Sequence, residues 1–233
     1  MSARLLCASL VLIAGCSTPF DKARIPRDAE HVVLVKSARL PGKFGPVIAQ
    51  AHHAWFELKD EDGWEIVEVL ASAPVQYTNV LRRERIGFER DVLDGTRWKH
   101  PVHLLRVLEG PQAKRVARMI RGLADAYEDP AFYWAWPGPN SNTFVERVVR
   151  RCPELDVELH HNAIAKDWAL LRVGPSATGS GVELETPILG VQLGLEEGLE
   201  LHLLQLTFGI DLWPPALKLP FLPRLGVPQG GYW

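Results

Sequence analysis

Two short segments hold most of the side chains that could do chemistry: Ala51-His52-His53-Ala54-Trp55-Phe56 and Trp136-Pro137-Gly138-Pro139-Asn140-Ser141-Asn142-Thr143-Phe144. In the second, Asn140 stands where a helix N-cap belongs, ahead of a helix running to about Arg151 and stopped by Pro153. A helix N-terminus presents free N–H groups and a partial positive charge, which favour an anionic nucleophile and can hold an oxyanion. Ser141 occupies that position, and His53 is the candidate base that would take its proton. Acyl transfer, or hydrolysis of an amide or ester, is the chemistry such a pair performs.

Hairpin arithmetic supplies a third member. Asp60-Glu61-Asp62-Gly63 reads as the turn between one strand ending at Lys59 and another starting at Trp64. If residue 59 pairs with 64, Glu68 falls opposite Trp55, on the face of His53 and diagonal to it, close enough to orient the ring. A slip of one residue would bring Glu65 to that face instead. Trp136, Asn140, Asn142 and Thr143 would then line the cleft as binding residues. The plain structural alternative has Asn140 capping the helix, Ser141 and Asn142 satisfying first-turn N–H groups, and His53 packed on Trp55.

Other chemistries find less support. No phosphate-binding glycine-lysine loop, dinucleotide glycine fingerprint or Gly-x-Ser-x-Gly elbow is present. Adjacent histidines such as His52-His53 or His160-His161 point to opposite faces of a strand and make a poor metal clip, so neither a metal nor a cofactor is expected. Arg82, Arg83, Arg85 and Arg90 read as a solvated charged face. Cys152 reads as a small buried hydrophobe.

The elements that must position these residues follow from apolar spacing. With 47% apolar and 23% charged residues in 233, the chain has enough apolar surface for a sizeable core, and a net charge of −2 gives no footprint for nucleic acid. Strands are expected over 31–36, 47–59, 64–70 and 102–107, and a helix over 111–127. Residues 71–100 read as loops. The last third reads as strand, over 182–185, 191–195 and 199–212, with the apolar phase slipping by one residue at Leu204, the mark of a bulge or tight bend. The five prolines between Pro214 and Pro228 suggest an extended edge segment. The sequence thus predicts one α+β domain over 31–220, an antiparallel sheet or partial barrel with two main helices, followed by an extended tail over 221–233.

Before this domain, Met1–Gly15 has the layout of an export signal: a positive start, the apolar run Leu5–Ala14 and a small residue just before Cys16. The run is half the length a spanning helix needs. Ile13-Ala14-Gly15-Cys16 resembles the bacterial lipobox, whose cysteine becomes a lipidated N-terminus, so Cys16 is the expected lipidation site and residues 16–30 a tether. Ser17 in the following position points to the outer membrane, facing the periplasm.

Two further resemblances concern the domain itself. Residues 136–144, His53-Ala54-Trp55-Phe56, Gly194-Leu195-Glu196-Glu197-Gly198-Leu199-Glu200-Leu201 and Leu206-Thr207-Phe208-Gly209-Ile210-Asp211-Leu212 together resemble the bacterial family known as domain of unknown function 3750, over most of residues 45–220. More remotely, a strand histidine followed by Asn-Ser-Asn-Thr-Phe at a helix start is similar to the circularly permuted papain-like hydrolases and the lecithin:retinol acyltransferase type. That resemblance implies a papain-like architecture and a cysteine nucleophile, and its cysteine would fall on Ser141. A helix terminus contributes about 0.3–2 kcal/mol, enough to help ionise a thiol but far too little for a hydroxyl. Serine at 141 therefore tips the sequence towards a non-catalytic papain-like binding module. The alternative is a serine-dependent hydrolase or acyltransferase acting on an envelope peptide, glycan or lipid, and the third reading is a structural lipoprotein.

Overall fold

The computed structural model describes residues 24–71, 80–93, 102–128 and 130–227. The signal segment and Cys16 lie outside the described residues. The chain is α+β, with two antiparallel sheets and two main helices.

The first sheet contains β1 (Val32–Arg39), β2 (His52–Asp60), β3 (Gly63–Val69), β4 (Leu81–Ile86) and β5 (Val102–Glu109), in the order β4-β3-β2-β1-β5. Helix α1 (Gly110–Asp125) packs on β1 and β5, and α2 (Ser141–Arg151) on β2 and β3. Both helices cover one face of the sheet, where Val33, Val35, Phe56, Val67, Ile120, Phe144 and Val148 form the main apolar core. The Phe144 ring meets Phe56 and Tyr127 edge-on. The hairpin pairs Lys59 with Trp64, the register that the turn residues imply.

Three boundaries differ from the sequence expectation. Residues 81–86 form β4, because Arg83 and Arg85 pair across the sheet with Glu65 and Asp60; charge pairing leaves no apolar period to read. Residues 48–50 form a 3-10 turn ahead of β2 rather than the start of the strand. The packed chain also begins before His31. Ile25 is buried against Val32, Leu34 and Trp64, and the Lys59 ammonium donates to the carbonyls of Arg27 and Ala29, so the end of the presumed tether belongs to the domain.

The second sheet is a meander of β6 (Arg172–Pro175), β7 (Gly181–Glu185), β8 (Leu189–Gly194), β9 (Gly198–Leu203), β10 (Leu206–Leu212), β11 (Pro215–Lys218) and β12 (Leu225–Gly226), paired in that order. The phase slip at Leu204 is a two-residue hairpin turn, with Leu204 and Gln205 both at positive φ. Residues 225–226, expected in a tail, pair with β11, and the neighbouring Arg224 is buried against Asp211.

The faces of this sheet are reversed relative to an ordinary half-buried sheet. Apart from Ala216 and glycines, its buried positions are polar, Glu183, Glu185, Gln192, Glu200, His202, Thr207, Asp211 and Lys218, while the alternating Val, Leu, Ile and Phe residues point outwards. The inward charges are paired. Lys218 bonds Glu158, Glu200 and Asp211, Lys166 bonds Asp167 and Glu200, and Arg150 of α2 reaches Glu183. Removing one partner from such a network typically costs about 3–5 kcal/mol, so the register is firmly fixed. Helix α2 thus lies between two unlike surfaces, presenting Phe144 and Val148 to the apolar core and Glu146 and Arg150 to the charged one.

Candidate active site

Ser141 is the first residue of α2. The cap ahead of it is complete: the Asn140 side chain accepts from the N–H groups of Asn142 and Thr143, and the Thr143 hydroxyl accepts from the Asn140 N–H. Asn140 Nδ2 in turn donates to the carbonyls of Ala135 and Ile164, which fixes the cap to its surroundings. Gly138 precedes it at φ +114, and a Cβ there would press on Ala165 and Trp168, so glycine is required.

Asn142 joins this helix start to the histidine strand. The β2–β3 ladder ends at the Phe56–Val67 pair, and beyond it the Asn142 side chain pairs with the edge of β2: Oδ1 accepts from the Ala54 N–H and Nδ2 donates to the His52 carbonyl. A single amide thereby imitates a neighbouring strand and holds Ser141 beside His53.

The geometry that results is a relay. Ser141 Oγ lies 2.8 Å from His53 Nδ1, and His53 Nε2 lies 3.0 Å from Glu68 Oε2. For the serine to donate to Nδ1, the ring must carry its proton on Nε2 and donate it to Glu68. The ring is turned opposite to that of trypsin-type proteases, where Nε2 faces the serine. Arg82 approaches the other oxygen of Glu68 at 3.4 Å. Trp55 stacks on His53 and is anchored by Glu57, which is bonded to Lys36. Glu65, the alternative in a slipped register, is engaged by Arg83 and Arg121.

The structure gives the expected cleft residues a different place. Asn140, Asn142 and Thr143 spend their polar side-chain atoms on internal hydrogen bonds, Thr143 also donating to the Ala165 carbonyl, so they position the serine instead of facing a ligand. Trp136 is half exposed at the surface and donates to the Leu204 carbonyl. Tyr133, not singled out by the sequence, hydrogen-bonds Ser141; burial raises its phenol pKa. Ser141 itself is only 2% exposed.

Other titratable clusters have structural partners. His52 stacks on His160, and His160 on His161; burial holds His52 and His160 well below the ordinary imidazole value and His161 at about 4. Burial pushes the Cys152 thiol up to about 11. Asp167, Glu200 and His202 lie close enough for a metal, but the ammonium groups of Lys166 and Lys218 already engage that cluster. His202 carries no motif because two of its three partners, Glu185 and Asp167, come from other parts of the chain and only Glu200 lies nearby in sequence.

No curated protein and no solved structure matches the chain. Residues 30–168 match the model of a family described as a protein of unknown function, DUF3750. The match spans the first sheet, both helices and all three members of the relay, and ends before the second sheet. Since it covers more than half of the sequence, the chain belongs to the DUF3750 family.

Proposed function

We propose that the chain is a serine-dependent acyl hydrolase or acyltransferase of papain-like arrangement, held at the bacterial cell envelope through a lipidated Cys16. The carrying observation is the continuous Ser141–His53–Glu68 relay. In the reaction Ser141 Oγ attacks an acyl carbonyl carbon while His53 Nδ1 takes its proton. Glu68 stabilises the imidazolium through Nε2–H, and His53 then gives the proton to the departing alcohol or amine. Water or a second acceptor releases the acyl group from Ser141 by the same route. The Ser141 N–H, at a helix start where no intrahelical acceptor is available, and the Tyr133 hydroxyl, which bonds Ser141, would donate to the oxyanion.

The substrate class is an acyl ester or amide of an envelope peptide, glycan or lipid, and the membrane is the partner through the N-terminal lipid, on the periplasmic side of the outer membrane. A burst of p-nitrophenol from an aryl ester, equal to the enzyme concentration and absent in Ser141→Ala, tests the chemistry. The burial of Ser141 favours the second reading, a binding module of the same architecture without turnover. In that case no burst forms at any ester concentration.

A further inference from the structure

The outer face of the second sheet is apolar from edge to edge. Cross-strand pairing lines up two unbroken rows: Val173, Leu184, Val191, Leu201 and Phe208 in one, and Val182, Leu193, Leu199, Ile210 and Leu217 in the other. Most of these side chains are about half exposed, and Trp213, at the end of β10, is 81% exposed. In water an antiparallel sheet turns its polar face outwards. Here the polar set is locked inside by ion pairs, so the apolar set is held outwards by the same register. Such apolar-out, polar-in alternation is the pattern of strands in contact with lipid. The strands are too short to cross: β8 and β9 have six residues and β10 seven, against about 9–11 for a spanning strand.

Charge at the margin favours lipid over a second protein. A cleft of about 420 Å³ beside β6 is lined by Arg147, Arg150, Arg151 and Arg172 against a single acid, Glu128, which pairs with Arg147; Arg150 and Arg172 also engage Glu183, and the excess of positive charge adjoins the exposed apolar positions Leu170, Leu171 and Val173. That is the complement of an anionic headgroup with its acyl chains beside it.

We infer that the outer face of the second sheet docks into the outer part of one leaflet of an anionic phospholipid bilayer, with the arginine cleft beside β6 receiving a headgroup phosphate. Docking is separate from the chemistry at Ser141, and its test uses no substrate. The full chain is made with Cys7→Ser and Cys16→Ser, which removes the acylation site and leaves the buried Cys152 as its native thiol. A polarity-sensitive fluorophore is attached at Leu193→Cys, at Leu201→Cys or, as an exposed reference in the β2–β3 turn, at Glu61→Cys. Vesicles of phosphatidylglycerol and phosphatidylcholine carry brominated acyl chains. The expected result is a blue shift and at least about twofold quenching at 193 and 201 with none at 61, both lost when Ile210→Glu and Phe208→Glu are added. In the Arg147→Glu, Arg151→Glu variant, binding to anionic vesicles falls towards that for neutral ones. A water-like signal at 193 and 201 in the presence of vesicles overturns the inference. So does equal quenching at all three positions, or a shift that follows protein concentration without lipid, which would assign the face to a second copy of the chain.

Discussion

His53 Nδ1 and Ser141 Oγ stand 2.8 Å apart although 88 residues separate them, and the contact is made through Asn142, whose amide joins the helix start to the edge of the histidine strand. The serine is thus placed by pairing with the strand backbone, and the relay depends on residues that need not touch a substrate.

Asn142→Ala should therefore act at a distance of one residue from the chemistry. It leaves the buried Ala54 N–H without its acceptor and removes the donors to His52 and Ile164, a loss of about 2–4 kcal/mol by chemical denaturation. Burst rate should fall with it. Asn142→Asp should fare no better, because its carboxylate cannot donate to the two carbonyls.

Glu68 and Glu65 sit three residues apart on the same strand, yet only Glu68 meets His53. Glu68→Gln should lower the acylation rate by about 10²–10⁴-fold with little change in ester KM, by analogy with the loss when a triad carboxylate becomes an amide. Glu65→Gln should leave the rate within about twofold. Equal effects of the two would place Glu68 among ordinary structural carboxylates.

Much of this site is legible in the sequence because it depends on local rules. The turn at 60–63 fixes the pairing of Lys59 with Trp64, and from that register Glu68 falls on the face of His53. Asn140 announces itself as a cap by its place before the amphipathic helix. Asn142 and Tyr133 are not legible in this way, because their partners lie in other elements and the ladder's early end at Phe56 leaves no mark on composition. The second sheet shows the same limit more strongly. Alternation of Leu199, Leu201 and Leu203 with Glu200 and His202 predicts a strand, but two faces of one strand are equivalent in sequence. What decides is the set of cations, Lys166, Lys218 and Arg150, that the fold gathers on the charged side.

That charged side makes stability depend on pH. Burial alone would lower the His202 imidazole, but Asp167, Glu185 and Glu200 outweigh it against the opposing charge of Lys166 and hold its pKa at about 10. A raised pKa in the folded state means that the stabilisation is complete below the unfolded value of about 6.5 and is lost as pH rises towards 10. Between about pH 7.5 and 8.5 the unfolding free energy should therefore fall by about 1.4 kcal/mol per pH unit at most. In His202→Gln the protein should be less stable throughout, and this slope should flatten. An unchanged slope would mean that another group carries the proton.

Replacing the nucleophile checks the electrostatics of the helix start. The thiol of Ser141→Cys, next to His53 and the first turn of α2, should have a pKa well below the ordinary 8.5. Its alkylation by iodoacetamide should accordingly persist at about pH 6, where Cys152 does not react. A thiol that titrates normally would show that neither the imidazole nor the helix terminus acts on position 141.

The most direct measurement is covalent capture of the serine. The folded full chain is incubated with a fluorophosphonate and its peptides are mapped by mass spectrometry. An active relay places the adduct on Ser141, at a rate reduced at least about 10²-fold in His53→Ala and abolished in Ser141→Ala, with folding preserved in both variants. A folded wild-type chain that leaves Ser141 unmodified, or reacts equally fast in His53→Ala, would contradict serine catalysis.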